Sequence, residues 1–404
     1  MLTGGKKVNN GSKKLFITNG QIKTMGGREF MGSILIEGTK IRALSETLDQ
    51  EVPADAEVID ALGCLVLPGF IDAHCHVGIG EEIYRWEGED FNEMTDPVTP
   101  DMRAIDGINP EDEGFRDARL GGVTAVFTVP GSANVIGGTG VVMKTAGKIV
   151  DKMIVRDPAG VKIAFGENPK MVYGEQKKMP MTRMGTAALL RQTLVDALTY
   201  KDKLEQGKTD PDKLPERDLG LEVLVRVINR EIPLRAHAHR ADDIMTAIRI
   251  AREFNVDLVI EHCTEGHKIA EELAELGYPA VVGPLLTNRA KVELKDKSFK
   301  TPGILAKAGV KVAIMTDHSV TPIEQLPLCA ALACKAGMDR EDALRAITIN
   351  AAEILGVSDR IGSLEVGKDA DIVIWTEDPF TITASPFCVI IDGKIVKPES
   401  SKGE

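Results

Sequence analysis

The chain is poor in aromatic side chains and in positive charge. Only 4% of its 404 residues are aromatic, and 49 Lys and Arg residues stand against 61 Asp and Glu residues, for a formal net charge of −12. Stacking platforms for single-stranded nucleic acid need aromatic rings, and a net negative protein repels phosphate backbones. The composition therefore argues against a nucleic acid partner.

Paired cysteines and long apolar runs are also missing. The six cysteines are scattered, with no Cys-x-x-Cys pair, which is typical of a protein in a reducing compartment. No apolar run reaches the roughly 18 residues that a membrane span needs. The lysine-rich residues 1–14 are not followed by an apolar segment, so we interpret them as a flexible tail and not as a signal peptide. We expect a cytoplasmic protein without a membrane partner.

Both ends of the chain carry short β-rich runs separated by turn signals. KLFITNG lies near the start and DADIVIWT near the end, with Asn-Gly, Glu-Gly and Asp-Gly turns beside such runs. Neither end is long enough to bury a core alone. We predict that residues 15–66 and 365–404 combine into one small composite β-sandwich domain, with the rest of the chain inserted between them.

The middle of the chain alternates apolar runs with helical patterns. Runs such as GVTAVFTV and VDLVIEH have the composition of parallel strands buried on both faces, and ADDIMTAIRIAREF predicts one of the intervening helices. About seven such strands are visible, which favours a (β/α)8 barrel of the α/β class over a doubly wound sheet. We place this barrel at residues 67–364, with an insertion near its mouth at about 170–231.

Six of the seven histidines lie at the ends of four predicted strands. They are His74, His76, His237, His239, His262 and His318, the last directly after Asp317. The carboxyl ends of barrel strands converge on one face, so these side chains gather in space. A single histidine at a strand end is as often structural as functional, but four strands ending this way predict a site. Imidazole and carboxylate without a cysteine cluster indicate catalytic Zn, Fe, Mn or Ni.

The pair His74 and His76 suits a shared ion. Because a strand has a period of two, both side chains project from the same face. Asp72, two residues earlier, is a candidate partner for an imidazole N–H.

These residues, with the C-terminal run GSLEVGKDADIVIW, resemble the amidohydrolase superfamily. The resemblance extends from residue 15 to 396 and is strongest to the group of imidazolonepropionases, enamidases and prolidase-like dipeptidases. It implies a distorted (β/α)8 TIM barrel, a composite β-sandwich, one or two divalent metals with zinc the first choice, and a homo-oligomer.

The resemblance also implies the ligands. His74, His76 and Asp317 match one metal position, and His237, preferred over His239, matches the other together with His262.

The ligand that bridges the two metals has two candidates in GVKIAFGENPK. Glu167 resembles the bridging Glu of enamidase-like enzymes, and Lys162 resembles the carbamylated Lys of dihydropyrimidinase-like enzymes. The two residues differ in strand parity, so only one can point inward on a regular strand. We favour Glu167 and keep carbamylated Lys162 as the alternative, beside the structural reading of a lysine buried in the barrel wall.

Substrate contacts are predicted in two places. The Gly- and Ser-rich segment 128–140, with Gly131, Ser132 and Asn134, can present polar groups to a carboxylate or carbonyl. His239 or His318 can assist the developing oxyanion.

The predicted activity is metal-dependent hydrolysis of a C–N amide bond in a cyclic amide, an N-acyl amino acid or a small dipeptide. A metal-bound hydroxide attacks, and Asp317 moves its proton to the leaving nitrogen. The alternative is a mononuclear hydrolase acting on a ring C=N or amidine carbon, as in imidazolonepropionase or deaminases. Arg240 stands where those enzymes usually carry a Glu, which argues against it. A non-catalytic scaffold is a remote third reading, because every ligand position is filled.

Overall fold

The computed structural model describes residues 13–47, 51–82 and 86–396. Residues 1–12 of the predicted tail lie outside these ranges. The strands are β1 (Lys14–Lys23), β2 (Glu29–Glu37), β3 (Lys40–Ser45), β4 (Ala56–Asp60), β5 (Leu65–Pro68), β6 (Phe70–Cys75), β7 (Val123–Thr128), β8 (Ile136–Lys144), β9 (Ile154–Ala164), β10 (Leu234–Ala238), β11 (Leu258–His262), β12 (Ala280–Val282), β13 (Val312–Ile314), β14 (Ile372–Trp375), β15 (Pro386–Ile391) and β16 (Lys394–Ile395). The α-helices are α1 (Glu113–Leu120), α2 (Glu167–Glu175), α3 (Arg183–Gly207), α4 (Leu219–Ile228), α5 (Ala241–Phe254), α6 (Ala270–Leu276), α7 (Thr301–Ala308), α8 (Leu326–Lys335), α9 (Arg340–Ala346) and α10 (Ile349–Leu355).

Strands β6 to β13 form one eight-stranded sheet in sequence order. Its first and last strands meet just past their ends. The backbone N–H of His76 donates to the carbonyl of His318 at 2.7 Å, and the N–H of Asp317 donates to the carbonyl of His74 at 3.2 Å. Every residue of β7, β10 and β11 is buried, as expected for strands covered on both faces. The α/β barrel prediction is confirmed as a nearly closed sheet.

One strand departs from the predicted parallel alternation. Strand β8 pairs antiparallel with β7 and with β9, and no α-helix stands between these three strands. Its first five residues, 136–140, belong to the Gly- and Ser-rich segment that we interpreted as a loop in contact with substrate, so the loop interpretation is wrong from Ile136 onward. Gly138 explains the local composition: its φ is +111°, and a Cβ there would lie 2.3 Å from the carbonyl oxygen of Met102. The glycines that this packing requires interrupt the apolar run, so the sequence pattern did not indicate a strand here.

The other eight strands, from both ends of the chain, form a second, mixed sheet. The N-terminal and C-terminal strands of the chain are joined in this sheet, because β14 pairs antiparallel with β5 and β5 in turn pairs with β1. The division of this sheet into two packed layers and the domain limits given above remain predictions.

The chain passes from this terminal sheet to the barrel at Gly69. The run LVLPGFIDAH, which we expected to be one strand, is split into β5 and β6, and these belong to different sheets. A Cβ on Gly69 would lie 2.0 Å from the hydroxyl oxygen of Thr124. The absence of a side chain therefore lets the two sheets approach each other at this residue.

A buried ion cluster also links the two sheets. Lys144, the last residue of β8, contacts the carboxylate of Asp371, and its Nζ lies 3.1 Å from Asp369 Oδ2 and 3.4 Å from Asp392 Oδ1. Burial opposes the charge of Lys144, but these carboxylates outweigh it and raise the pKa of the lysine. Lys144 therefore stays charged at neutral pH.

The segment between β9 and β10 holds three helices, α2 to α4, and contains the predicted insertion. The helical pattern that we placed at residues 182–207 is α3. None of the helices in the described ranges combines the length and apolar character that a membrane crossing needs.

Candidate metal centre

Five imidazoles meet at the carboxyl ends of the barrel strands. They belong to His74, His76, His237, His239 and His262, and the centroids of neighbouring rings are 4.2 to 5.3 Å apart. The strand order places β6 beside the end of β13 and β10 beside β11, which brings residues from distant parts of the chain together. Five of the six histidines that we expected to gather therefore do so, and His318 does not line the cavity.

The first group of donor atoms surrounds Asp317. Its Oδ1 lies 3.2 Å from His74 Nε2 and 3.3 Å from His76 Nε2, and its Oδ2 lies 4.0 Å from His262 Nδ1. The other ring nitrogen of His76 is 2.7 Å from the carbonyl oxygen of Val129. A proton on that nitrogen leaves Nε2 as a lone-pair donor toward the site.

The second group consists of His237, His239 and His262. One ring nitrogen from each of these residues lies within 4.8 Å of the others, and His262 belongs to both groups. Within the described residues, both ring nitrogens of His237 and Nε2 of His262 are buried without a hydrogen-bond partner. Buried polar atoms are rarely left unpaired, so these nitrogens fit a site for a divalent cation.

The electrostatics of His237, His239, His262 and Asp317 agree with metal binding, whereas burial opposes the charge of His74 but Glu261 outweighs it and raises the pKa of that imidazole. Burial lowers the pKa of His237 and His262 well below the usual histidine value, and that of His239 to about 4. Burial opposes the charge of Asp317, but hydrogen bonds with His74 and His76 outweigh it and hold the pKa of Asp317 well below its usual range. Neutral imidazole and ionised carboxylate are the forms that bind a metal.

The backbone is left-handed at two of these positions. His262 has φ = 67° and Asp317 has φ = 56°, a conformation uncommon for residues other than glycine. Glu261 already points into the barrel, so on a regular strand His262 would point outward. The left-handed residue turns the His262 imidazole into the site, and such strain is typical of functional positions.

Beneath the histidines lies a row of buried charged residues, Lys162, Glu261 and Arg235. Lys162 was identified from the sequence, but the other two were not. Glu261 Oε2 is 2.7 Å from Lys162 Nζ and 2.9 Å from His74 Nδ1, and Glu261 Oε1 accepts a hydrogen bond from Arg235 Nε at 2.8 Å. The guanidinium of Arg235 also lies 4.5 Å from the centre of the Phe127 ring. The available signal was a charged residue within each of the apolar runs PLRAHA and LVIEH, since a buried charge needs a partner.

The two bridge candidates occupy different environments. Lys162 is fully buried on β9, its Nζ lies 3.4 Å from His74 Nε2, and it lines the cavity described below. Glu167 is half-buried at the start of α2 and does not line that cavity among the described residues. Its backbone N–H donates to Glu293 Oε2 at 3.0 Å. The structure thus brings Lys162 to the histidines and not the Glu167 side chain.

Glu293 is a second residue that the sequence reasoning did not find. It is buried in a short 3-10 helix (Val292–Leu294), and its Oε1 lies 3.7 Å from His239 Nε2 and 3.9 Å from His237 Nε2. A glutamate in the polar run KVELKD carries no signal that distinguishes it from a surface residue.

A cavity of about 360 Å³ opens over the two donor groups. His239, Gly131 and Ser132 line it, as predicted for substrate contacts. Asn134 does not reach it in the described structure. Its amide donates to the carbonyl of Glu93 and to the hydroxyl of Thr99, so it holds the loop in place.

Two further residues lie near the site but do not line the cavity in the described structure. His318 is fully buried outside the cavity lining, and its Nδ1 accepts a hydrogen bond from the backbone N–H of Ile323 at 3.2 Å. Asp72 accepts hydrogen bonds from the backbone N–H groups of His74 and Thr316 and from the Thr316 hydroxyl. Asp72 thus holds the strand ends and not an imidazole N–H, which corrects the predicted pairing.

Known proteins resemble this chain over nearly its whole length. The model described as "Amidohydrolase family" matches residues 222–396. A crystal structure of an amidohydrolase from Thermotoga maritima MSB8 has 48% sequence identity and a TM-score of 0.92, and the match covers 95% of this chain and 99% of that one.

Two curated relatives are more distant. "Amidohydrolase tasK" of Hapsidospora irregularis is 29% identical over 91% of this chain, which spans 40% of that protein's length. An imidazolonepropionase of Cupriavidus pinatubonensis is 26% identical, over 88% of this chain and 87% of the relative. The chain belongs to the amidohydrolase family of metal-dependent hydrolases that act on carbon–nitrogen bonds.

Proposed function

We propose that the chain hydrolyses the amide bond of a small substrate, namely an N-acyl amino acid, a dipeptide or a cyclic amide, with two divalent metal ions of which zinc is the first choice. One observation carries this proposal. Two groups of buried donor atoms share His262, contain unpartnered ring nitrogens and lie under a cavity of about 360 Å³. A cavity of this size is at the small end of sites for small molecules.

The ligands divide between two ions. His74, His76 and Asp317 would hold one ion, and His237 and His262 would hold the other. His239 belongs to the second donor group as well. It is also placed to contact the substrate carbonyl, because its Nδ1 is held by the Thr264 hydroxyl at 2.8 Å and the ring faces the cavity.

Lys162 is the better candidate for the bridging ligand. Its closeness to His74 and its position in the cavity lining support carbamylation, which would convert the amine into an oxygen donor. Glu167 is not among the described residues that line the cavity, which weighs against our first choice from the sequence.

Residues of the chain would then transfer the proton of the attacking water. Bound divalent ions would lower the pKa of water and polarise the scissile carbonyl. Asp317 is ionised and in the cavity lining, so it can accept a proton from water and deliver it to the leaving nitrogen. Asp72 and the paired backbone of residues 74 and 317 keep this carboxylate in position.

A second candidate is a single-metal hydrolase of a ring C=N or amidine carbon. The group of three histidines, His237, His239 and His262, favours it, as do relatives named imidazolonepropionase. Arg240, which stands where a Glu is expected in such enzymes, has a guanidinium bound to Asp242 at 2.8 and 2.9 Å and does not line the described cavity.

Counting the metal tests both candidates. The protein is stripped with a chelator and reloaded with Zn, Mn, Fe(II) or Ni, and metal per chain is measured together with hydrolysis of N-acyl amino acids, dipeptides and cyclic amides. Two ions per chain with amide hydrolysis support the first candidate, and one ion supports the second. Absence of both metal and hydrolysis would contradict the proposal and favour a non-catalytic scaffold.

We also propose a cellular location, an oligomeric state and a layer arrangement for the terminal sheet. The scattered cysteines and the family resemblance support a cytoplasmic homo-oligomer. The terminal sheet branches at β1, which pairs with β2, β4 and β5, and this branching supports two packed layers. Light scattering coupled to size-exclusion chromatography tests the oligomer: a mass of 43.6 kDa would contradict it.

A further inference from the structure

The cavity lining includes a lysine, Lys291, that forms no ion pair with a described residue. Among the described residues that line the cavity, Asp317 is the one acid, and it lies with the histidines. Lys291 lines the same cavity, and its Nζ donates to the side-chain carbonyl of Asn168 at 2.6 Å. The structure gives Lys291 no ion pair within the described residues. A lysine ammonium has three N–H donors, so two remain for another acceptor.

Lys291 is held in place from two sides. Its neighbour Glu293 accepts a hydrogen bond from the backbone N–H of Glu167, and Lys291 itself donates to Asn168, the next residue of α2. A fixed cation of this kind loses little entropy when it binds an anion.

A hydroxyl completes the group. The amide N–H of Asn168 donates to Ser132 Oγ at 2.7 Å, and Ser132 also lines the cavity. Because that oxygen accepts from Asn168, the hydroxyl proton of Ser132 is available to a second acceptor. Lys291 and Ser132 thus offer donors from opposite ends of one hydrogen-bonded chain, with Asn168 between them.

Apolar side chains also line the cavity, beside the polar residues Asn92, Thr287, Asn288 and Ser319. Its apolar side chains are Phe91, Met94, Met171, Val172, Leu294 and Val320. A ligand that fits this wall has an apolar part next to one anionic group.

We propose that Lys291 and Ser132 bind the carboxylate of the substrate, and that the enzyme therefore prefers N-acyl amino acids with an apolar side chain over neutral cyclic amides. Asn168 is a positioning residue that orients both donors. This inference rests on the proposed amide hydrolysis and deepens it, because a neutral substrate would desolvate the Lys291 ammonium without giving it an anionic partner.

The test compares each substrate with its own carboxamide. For the metal-replete enzyme, kcat/KM is measured for N-acyl derivatives of leucine, methionine and valine and for the corresponding amides, following release of the acyl group. We expect the acids to be preferred at least about tenfold, because hydrogen bonds to charged groups are the stronger class. Lys291→Met should lower kcat/KM for the acids about 30-fold, mainly through KM.

Matched variants separate charge from structure. Lys291→Arg should keep the preference for the acid. Lys295→Met, on the same segment but exposed and outside the cavity lining, should leave the ratio of acid to amide unchanged. Asn168→Ala should lower that ratio while the metal content and the unfolding midpoint stay at their wild-type values. A ratio that Lys291→Met does not change overturns the inference.

The two proposals fail in different ways. Equal turnover of acids and amides by the wild-type enzyme overturns the carboxylate site and leaves amide hydrolysis standing. If no amide is hydrolysed, the proposed function fails, and calorimetry with 4-methylpentanoate and 4-methylpentanol decides the inference independently. Tighter binding of the carboxylate that is lost in Lys291→Met and kept in Lys295→Met supports the site, and equal binding to both variants overturns it.

Discussion

Lys162 Nζ and Glu261 Oε2 lie 2.7 Å apart beneath the histidines, and both side chains are fully buried. Glu261 also binds Arg235, so one carboxylate faces two buried cations and the imidazole of His74. Burial opposes the charge of Glu261, but His74, Lys162 and Arg235 outweigh it and hold the pKa of Glu261 well below its usual range.

Glu261→Gln should destabilise the protein strongly. In the metal-free protein, where Lys162 is an amine and not a carbamate, the substitution leaves two buried cations without a counter-charge, which costs about 3–5 kcal/mol of unfolding free energy. Guanidinium unfolding at pH 7.5 measures the loss. Glu253→Gln, which removes a half-exposed partner of Arg191, should cost less than about 1 kcal/mol. Equal losses in the two variants would mean that the buried row does not stabilise the fold.

Lys162 and Glu167 can be distinguished by metal content. We expect Lys162→Met to lower the number of ions per chain from two toward one, because it removes the proposed bridging ligand. Glu167→Gln should retain both ions, since its side chain lies outside the cavity lining. Elemental analysis after reloading with zinc and bicarbonate gives the count, and circular dichroism checks the fold. The reverse pattern would restore Glu167 as the bridge.

Asp317→Asn should separate metal binding from turnover. The amide keeps the shape of the side chain and an oxygen donor, so most of the metal remains, but it cannot accept the proton. We expect kcat to fall about 10²- to 10⁴-fold. Asp242→Asn, at the exposed rim of the same barrel face, is the control. An active Asp317→Asn enzyme would refute the assignment of Asp317 as the proton carrier.

The metal-free protein should lose stability in mild acid. Burial lowers the pKa of His239 to about 4, against the ordinary 6.5 of an unfolded chain. Between these values the unfolded state binds a proton that the folded state does not, so the unfolding free energy falls as the pH falls from 6.5 toward 4. For His239 alone the loss approaches about 3 kcal/mol. Denaturant unfolding at several pH values should give a shallower dependence for His239→Leu, and identical slopes would count against this explanation.

The strand β8 gives a prediction about folding. Gly138→Ala places a Cβ 2.3 Å from a backbone oxygen at a positive φ, and should cost about 2–4 kcal/mol. Gly174 lies in helix α2 with nothing within 4 Å of its Cβ position, so Gly174→Ala should stabilise by about 0.5–1 kcal/mol. Thermal unfolding of the two variants compares them directly. Similar midpoints would show that β8 tolerates the side chain.

What the sequence could predict depended on periodicity. The histidines at strand ends were found because buried strands have continuous apolar runs and because strand ends converge in a barrel. Strand β8 was missed because its glycines dilute the apolar run. Glu261 and Arg235 were not identified, although each is a charged residue within an apolar run, because those runs were interpreted only as evidence for strands. Nothing in the local sequence of Glu293 distinguishes it, because its burial depends on contacts between segments far apart in the chain.

The Lys144 cluster has a consequence for the architecture. A protein cut after the barrel, near residue 364, would lose Asp369, Asp371 and Asp392 together and leave a buried ammonium facing no anion. Where the chain passes from the terminal sheet to the barrel, Gly69 alone separates β5 from β6, so the two sheets are held close together there. We therefore expect the chain to unfold in one cooperative transition, so that loss of its last strands also destabilises the barrel that carries the candidate metal centre.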